Sequence, residues 1–154
     1  MSSTPQLTSA HERLAALAGD WHGAEALAAS PWAPAGEAAA RLSFAVVAGG
    51  FALAQDYVEE RDGAVAVSGH GVFAVALDGE TVLWWWFDSF GYPPAEPSSG
   101  RWEGERLVLV KQTPRGTNRT TFALAGDTLT QRIEVRFPEV EEFAPLVDGS
   151  YARA

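Results

Sequence analysis

The residues able to do chemistry in this 154-residue chain are few, and most crowd into two short stretches. "LAQDYVEE", residues 53–60, offers Gln55, Asp56 and Tyr57. "WWWFDSFG", residues 84–91, offers three consecutive tryptophans followed by Asp88. A carboxylate near a phenol can serve as a general acid or base beside a hydrogen-bond donor, once burial raises its pKa. Indoles near a carboxylate can instead hold an apolar or cationic molecule by stacking and cation–π contact. Other chemistries lack residues. There is no cysteine, hence no thiolate nucleophile and no thiolate metal site. His11, His22 and His70 have no ligand-like spacing, so neither a metal centre nor a cofactor is expected.

Composition narrows the partners. Hydrophobic residues are 47% and charged residues 20%, an ordinary globular balance. The formal net charge of −9 repels phosphate, so neither nucleic acid nor an anionic membrane surface is an expected partner. No apolar run is long enough to span a bilayer, and the N-terminus lacks the pattern of a secretory signal. A cytoplasmic protein of one domain, residues 1–154, is the expectation. "NRT" at 118–120 is then a chance match to a glycosylation acceptor.

The chemistry-bearing stretches need elements to position them. "LTSAHERLAALAGDW" predicts one helix over about 8–18. Thr8 or Ser9 is the cap, Glu12 closes a capping box from Ser9, and Gly19 is the stop. The rest, about 20–153, breaks into short runs separated by turn signals. Ten strands are expected: about 20–29, 37–47, 50–60, 64–77, 80–89, 98–103, 106–113, 117–125, 128–137 and 143–153. Nearly all breaks are hairpin-length, so consecutive strands pair. A ten-strand meander leaves long edges unless it closes. The fold expected is therefore all-β, an antiparallel up-and-down barrel with one short N-terminal helix. "GYPPAEPSSG" is the one long loop.

Register decides which tryptophan points where. A two-residue turn at Asp78–Gly79 aligns Leu77 with Glu80, Val75 with Val82, Phe73 with Trp84, Gly71 with Trp86 and Gly69 with Asp88. Val65, Val67, Phe73, Val75 and Leu77 make that face apolar, hence inward. Gly69 and Gly71 leave room for the indoles. A two-residue turn in "ERDGA" would put Phe51, Leu53, Gln55 and Tyr57 on the opposite face. A three-residue turn with a bulge at Gly63 gathers both apolar sets together and leaves Asp56 and Glu60 in solvent, so the bulge is preferred. Trp84 and Trp86 then point in and are buried, with Phe51, Leu53, Gln55, Tyr57, Phe73 and Asp88. Trp85 points out beside His70 and Phe87. Trp102, Leu107 and Leu109 share a face and also point in.

"LAGDWHG", "SPW", "LAQDYVEERDG", "SGHGVF", "WWFDSFG" and "GRWEGERLVL" resemble, in this order, a bacterial family filed as domain of unknown function 1579. The resemblance covers roughly residues 13–153. It implies a lipocalin-like, calycin-type barrel and no established activity. "GDW" after a short helix also resembles the start of lipocalins and fatty-acid-binding proteins. In those folds the Trp closes the barrel floor under an Arg of the last strand, which implies Trp21 and Arg153 here. The nitrobindins hold haem through a His near the C-terminus, and this chain has no His after residue 70, which counts against haem.

The leading reading is a binding protein for a small, largely apolar molecule, held by Gln55, Tyr57, Phe73, Trp84, Trp86, Asp88 and Trp102. Asp88 is the only charge this register places inside, while Arg132, Glu134 and Arg136 alternate outward from Leu129, Gln131, Ile133 and Val135. A neutral or weakly basic ligand follows. Two other readings stand beside it. One is an enzyme using Asp88 as general acid or base with Tyr57 as donor. The other is an interaction protein that dimerises through exposed Trp85 and Phe87. Trp84 and Trp86 can equally fill a small barrel packed solid.

Overall fold

A computed structural model describes residues 4–31 and 33–154; residues 1–3 and Trp32 of the "SPW" motif lie outside the described residues. One helix, α1 (Ser9–Ala15), precedes ten strands: β1 (Gly19–Leu27), β2 (Gly36–Val47), β3 (Ala52–Arg61), β4 (Ala64–Val75), β5 (Val82–Asp88), β6 (Ser98–Glu103), β7 (Arg106–Thr113), β8 (Gly116–Ala125), β9 (Thr128–Arg136) and β10 (Ala144–Arg153). Each strand pairs antiparallel with its sequence neighbours, and β1 pairs with β10 to close the barrel. No helix among the described residues is long and apolar enough to cross a membrane.

The helix is shorter than its sequence signal, and its box is set one residue earlier than Ser9–Glu12. Thr8 is the cap, and its backbone N–H donates to His11 Nδ1 at 2.9 Å. The Thr8 hydroxyl donates to the Gly79 carbonyl at 2.7 Å and so ties the helix start to the β4–β5 turn. Leu14 and Leu17 are buried against the end of the barrel. Trp21 plugs that end, its indole N–H donating to the Leu17 carbonyl at 2.9 Å. The Arg153 guanidinium lies 4.2 Å from the Trp21 ring centroid and donates to the Ala16 and Ala18 carbonyls at 2.9 and 2.8 Å. This is the floor that the likeness to lipocalins implies. Chain direction then puts the loops 28–35, 62–63, 89–97, 114–115 and 137–143 at the opposite end, the mouth.

The central hairpins have the expected alignment. Val75 pairs with Val82, Phe73 with Trp84, Gly71 with Trp86 and Gly69 with Asp88. Leu53 pairs with Phe73, Gln55 with Gly71 and Tyr57 with Gly69. Three details differ. The bulge is not at Gly63: Asp62 and Gly63 form a two-residue turn with φ of 52° and 78°, and the register shifts further in, between Glu59 and Glu60, where Ala66 is left unpaired. The expected facing survives because the extra residue sits on β4 instead of in the turn. Val65, beyond the bulge, is thereby turned outward and exposed. Leu77 leaves the ladder, because Ala76 N–H bonds the Thr81 carbonyl and closes a wider turn; its side chain is 90% exposed. Phe51 lies in the turn after the 3₁₀ segment Ala48–Gly50, outside β3, where its ring meets the edge of His11.

The two β4 glycines are packing requirements. A Cβ on Gly69 would stand 2.3 Å from Trp86 Cζ2, and one on Gly71 would stand 2.6 Å from both Gln55 Oε1 and Trp84 Nε1. Gly71→Ala is therefore expected to lower the unfolding free energy by about 1–3 kcal/mol through overpacking. Urea denaturation compared with the unchanged chain checks this.

Candidate functional site

Alternation along the strands sorts the inner wall into levels. Nearest the floor, Leu42, Phe44, Leu53, Phe73, Val82, Leu107 and Leu129 are buried. Above them Trp84 stacks on Phe73, centroids 5.5 Å apart at 15°, and meets the edge of Phe122 at 5.6 Å. Leu109, Gln55, Gln131 and Tyr151 complete this level, all buried. Trp102 also faces in, partly buried against the same core. Phe73, Trp84 and Trp102 thus belong to a packed lower barrel.

Toward the mouth the wall changes character. Tyr57, Trp86 and Asp88 face inward but are only half-buried. Trp86 meets Trp84 at 5.3 Å and Tyr57 at 5.7 Å. It was expected to be buried with Trp84, and Trp85 to be more exposed. Instead Trp85 and Trp86 are both half-buried, because Trp86 lies one inward step nearer the mouth. Asp88 accepts the Trp86 indole N–H at 2.9 Å through Oδ2 and the Phe90 backbone N–H at 3.1 Å through Oδ1. It couples a lumen indole to the loop over the mouth.

Asp88 is not the only inner charge. Glu25 on β1 is 2% exposed, and Glu59 on β3 is 5% exposed. Glu25 accepts the Tyr57 hydroxyl at 2.6 Å and the Tyr151 hydroxyl at 2.6 Å, one on each carboxylate oxygen. Tyr151 also lies 3.4 Å from Gln131 Oε1. Burial pushes the Glu25 carboxyl above its ordinary range; the Tyr151 and Tyr57 hydrogen bonds pull it back, and Glu59 adds repulsion. Burial, then the charge of Glu25, pushes both phenols well up, so they remain hydrogen-bond donors at any working pH. Glu59 is paired with Arg61 at 3.0 Å.

All seven residues expected at the site face inward, but the structure divides them: Tyr57, Trp86 and Asp88 near the mouth, Gln55 at the boundary, Phe73, Trp84 and Trp102 below. Tyr57 donates to Glu25, not to Asp88. Glu25, Glu59 and Tyr151 were missed. Glu25 was legible in principle, since it shares parity with Trp21 and Leu27 along "DWHGAEAL". His70 faces outward and lies 2.9 Å from Asp56, both exposed.

Gln55 carries an imbalance. Its Oε1 accepts the Trp84 indole N–H at 3.2 Å, while its Nε2 is buried without a partner among the described residues. An unmet buried donor costs about 1–3 kcal/mol. Elsewhere, a hollow of about 350 Å³ indents the outer wall beside Thr121, Thr130, Arg132, Asp148 and Ser150, on the side opposite the lumen.

No protein-family model and no curated protein matches the chain. Among solved structures it is similar to Rv2717c from M. tuberculosis, with a TM-score of 0.75 and 19% identity over 97% of this chain and 99% of that one. It is also similar to the S-type phycobiliprotein lyase CPES from Guillardia theta, with a TM-score of 0.68 and 12% identity over 97% of this chain and 98% of that one. Likeness at such identities speaks to fold alone, and the fold is a closed, lipocalin-like antiparallel barrel of ten strands.

Proposed function

We propose that this barrel is a non-enzymatic binding protein for a small, largely apolar molecule that is neutral or weakly basic. The observation that carries the reading is the incomplete burial of Tyr57, Trp86 and Asp88 on the inside of a closed barrel. These three inward side chains stand at the mouth end of the wall, where partial solvent contact supports access for a ligand. The likeness to a phycobiliprotein lyase is consistent with a ligand-binding barrel. The motif order in the sequence supports membership of the family filed as domain of unknown function 1579 as part of the same proposal.

The loop 89–97 borders the way in. β5 pairs with β6 only from Val82–Gly100 to Trp84–Ser98, so beyond Trp84 the wall on that side is loop instead of strand. Tyr92 of the loop lies under Arg115 of the β7–β8 turn, 5.1 Å from guanidinium carbon to ring centroid.

Wall charge supports the ligand class. Glu25, Glu59 and Asp88 face inward against Arg61, which is paired to Glu59, and Lys111, which shares the parity of Leu107 and Leu109. A carboxylate ligand meets net repulsion, whereas an ammonium gains attraction and cation–π contact with the indoles, worth about 0.5–2 kcal/mol. Tryptophan fluorescence titrated with matched long-chain acids, alcohols and amines at neutral pH tests this. Alcohols and amines are expected to bind tighter than acids; the opposite order would remove the charge argument. Native mass spectrometry of freshly purified protein gives the direct check for a retained ligand.

A further inference from the structure

We infer, resting on the binding reading above, that the ligand presents a neutral hydrogen-bond acceptor, a carbonyl or ether oxygen, to Gln55. The side chain is fully buried on the inner wall. Its orientation is fixed, because Oε1 accepts the Trp84 indole N–H and a flipped amide would set N–H against N–H. Nε2 is therefore a committed donor, and it has no acceptor among the described residues. Buried polar groups are almost always satisfied, so a donor left open in a binding barrel marks where an acceptor belongs.

The surroundings define that acceptor. Gln55 Oε1, Trp84 Nε1 and Trp86 Cε3 all crowd over Gly71, so Gln55 borders the Trp86 ring. Trp86 is the half-buried ring of this group, anchored at its indole nitrogen by Asp88, and it stands on the mouth side of the amide. An anionic acceptor is disfavoured by Glu25, Glu59 and Asp88, which leaves a neutral oxygen on an apolar body. Trp102 Nε1 is a second buried donor without a partner among the described residues, but its ring, partly buried against the core, lies at the floor end of the barrel, away from the mouth.

Calorimetric titration of the unmodified chain with two nearly isosteric pairs tests this: acetylnaphthalene with ethylnaphthalene, and decyl methyl ketone with dodecane. Each pair differs by one carbonyl. The ketones are expected to bind at least fivefold tighter than their hydrocarbons. Gln55→Met, which keeps the volume and removes the donor, is expected to abolish that preference while still binding the hydrocarbons. A thermal melt of the variant confirms that it folds. Equal affinity within both pairs in the unmodified chain overturns the acceptor site but leaves the binding reading intact. Gln55→Met also frees the Trp84 indole N–H, so a ketone preference that persists in a folded chain carrying both Gln55→Met and Trp84→Phe overturns the assignment to Gln55. Absence of binding by all four compounds overturns both the acceptor site and the binding reading beneath it.

Discussion

Trp84→Ala is expected to lower the unfolding free energy by about 3–5 kcal/mol, the range for emptying a large aromatic site in a tight core. The indole is 6% exposed, stacked on Phe73, edge-on to Phe122 and bonded to Gln55. Its loss leaves a void that three rings and a buried amide border, and the closed sheet around them cannot collapse into it. Trp86→Ala is expected to cost less, about 1–2 kcal/mol, because that ring is only partly buried in the unchanged chain. Urea denaturation followed by far-ultraviolet circular dichroism measures both without relying on the deleted fluorophore. The contrast is the informative quantity. Equal and large losses would mean that the upper lumen is as tightly packed as the lower, and the open wall proposed for binding would not exist.

Tyr151→Phe is expected to cost about 1.5–3 kcal/mol at neutral pH, the range for removing a hydrogen bond to a charged group. The hydroxyl is one of two that Glu25 depends on, and the carboxylate it leaves is almost fully buried. The cost should depend on pH in a defined direction. Burial raises the Glu25 pKa in the folded protein above its ordinary value of 4.5. The folded state therefore holds the proton more tightly than the unfolded chain. Stability from this group is fully present below about pH 4.5 and is lost as pH rises through the raised folded value. Removing the Tyr151 donor raises that value further, so the deficit of the variant grows from acid toward neutral pH. Paired urea melts of both proteins across this range read the effect. A deficit that is constant with pH, or larger in acid, would show that Tyr151 stabilises by packing and not through Glu25. Glu25→Gln, which cannot ionise, is expected to flatten the pH dependence of the chain.

Turn spacing was enough to establish the architecture. In a meander, each hairpin-length break between apolar runs leaves one arrangement for the next strand, and ten such runs have nowhere to go but around. The facing of β3, β4 and β5 was also legible. Side-chain period two ties every position to its neighbours, so one consistent apolar set orients the whole strand. Gly69 and Gly71 opposite the indoles reinforced it. The position of the bulge was not legible from "ERDGA", because one extra residue in the turn and one extra residue in the strand give the same alignment downstream. Val65 and Leu77 were misassigned for related reasons: each lies where the ladder is interrupted, and parity carries no information across an interruption.

The chemical centre of the lumen was decided by tertiary structure. Asp88 drew attention because it follows three tryptophans in sequence, yet the deeply buried carboxylate is Glu25. Its partners Tyr57 and Tyr151 come from β3 and β10, 32 and 126 residues away in sequence. Alternation along β1 can say that Glu25 shares a side with Trp21. It cannot say that β10 closes against β1 and brings Tyr151 to it. Only closure of the barrel creates that contact. It likewise separates Trp84 from Trp86, two residues of the same type on the same face, by setting one among packed rings and the other within reach of solvent. The sequence by itself determined the strands and which way they face; depth along the barrel axis, which divides the fully buried core from the partly exposed upper wall, arises only when all ten strands are in place.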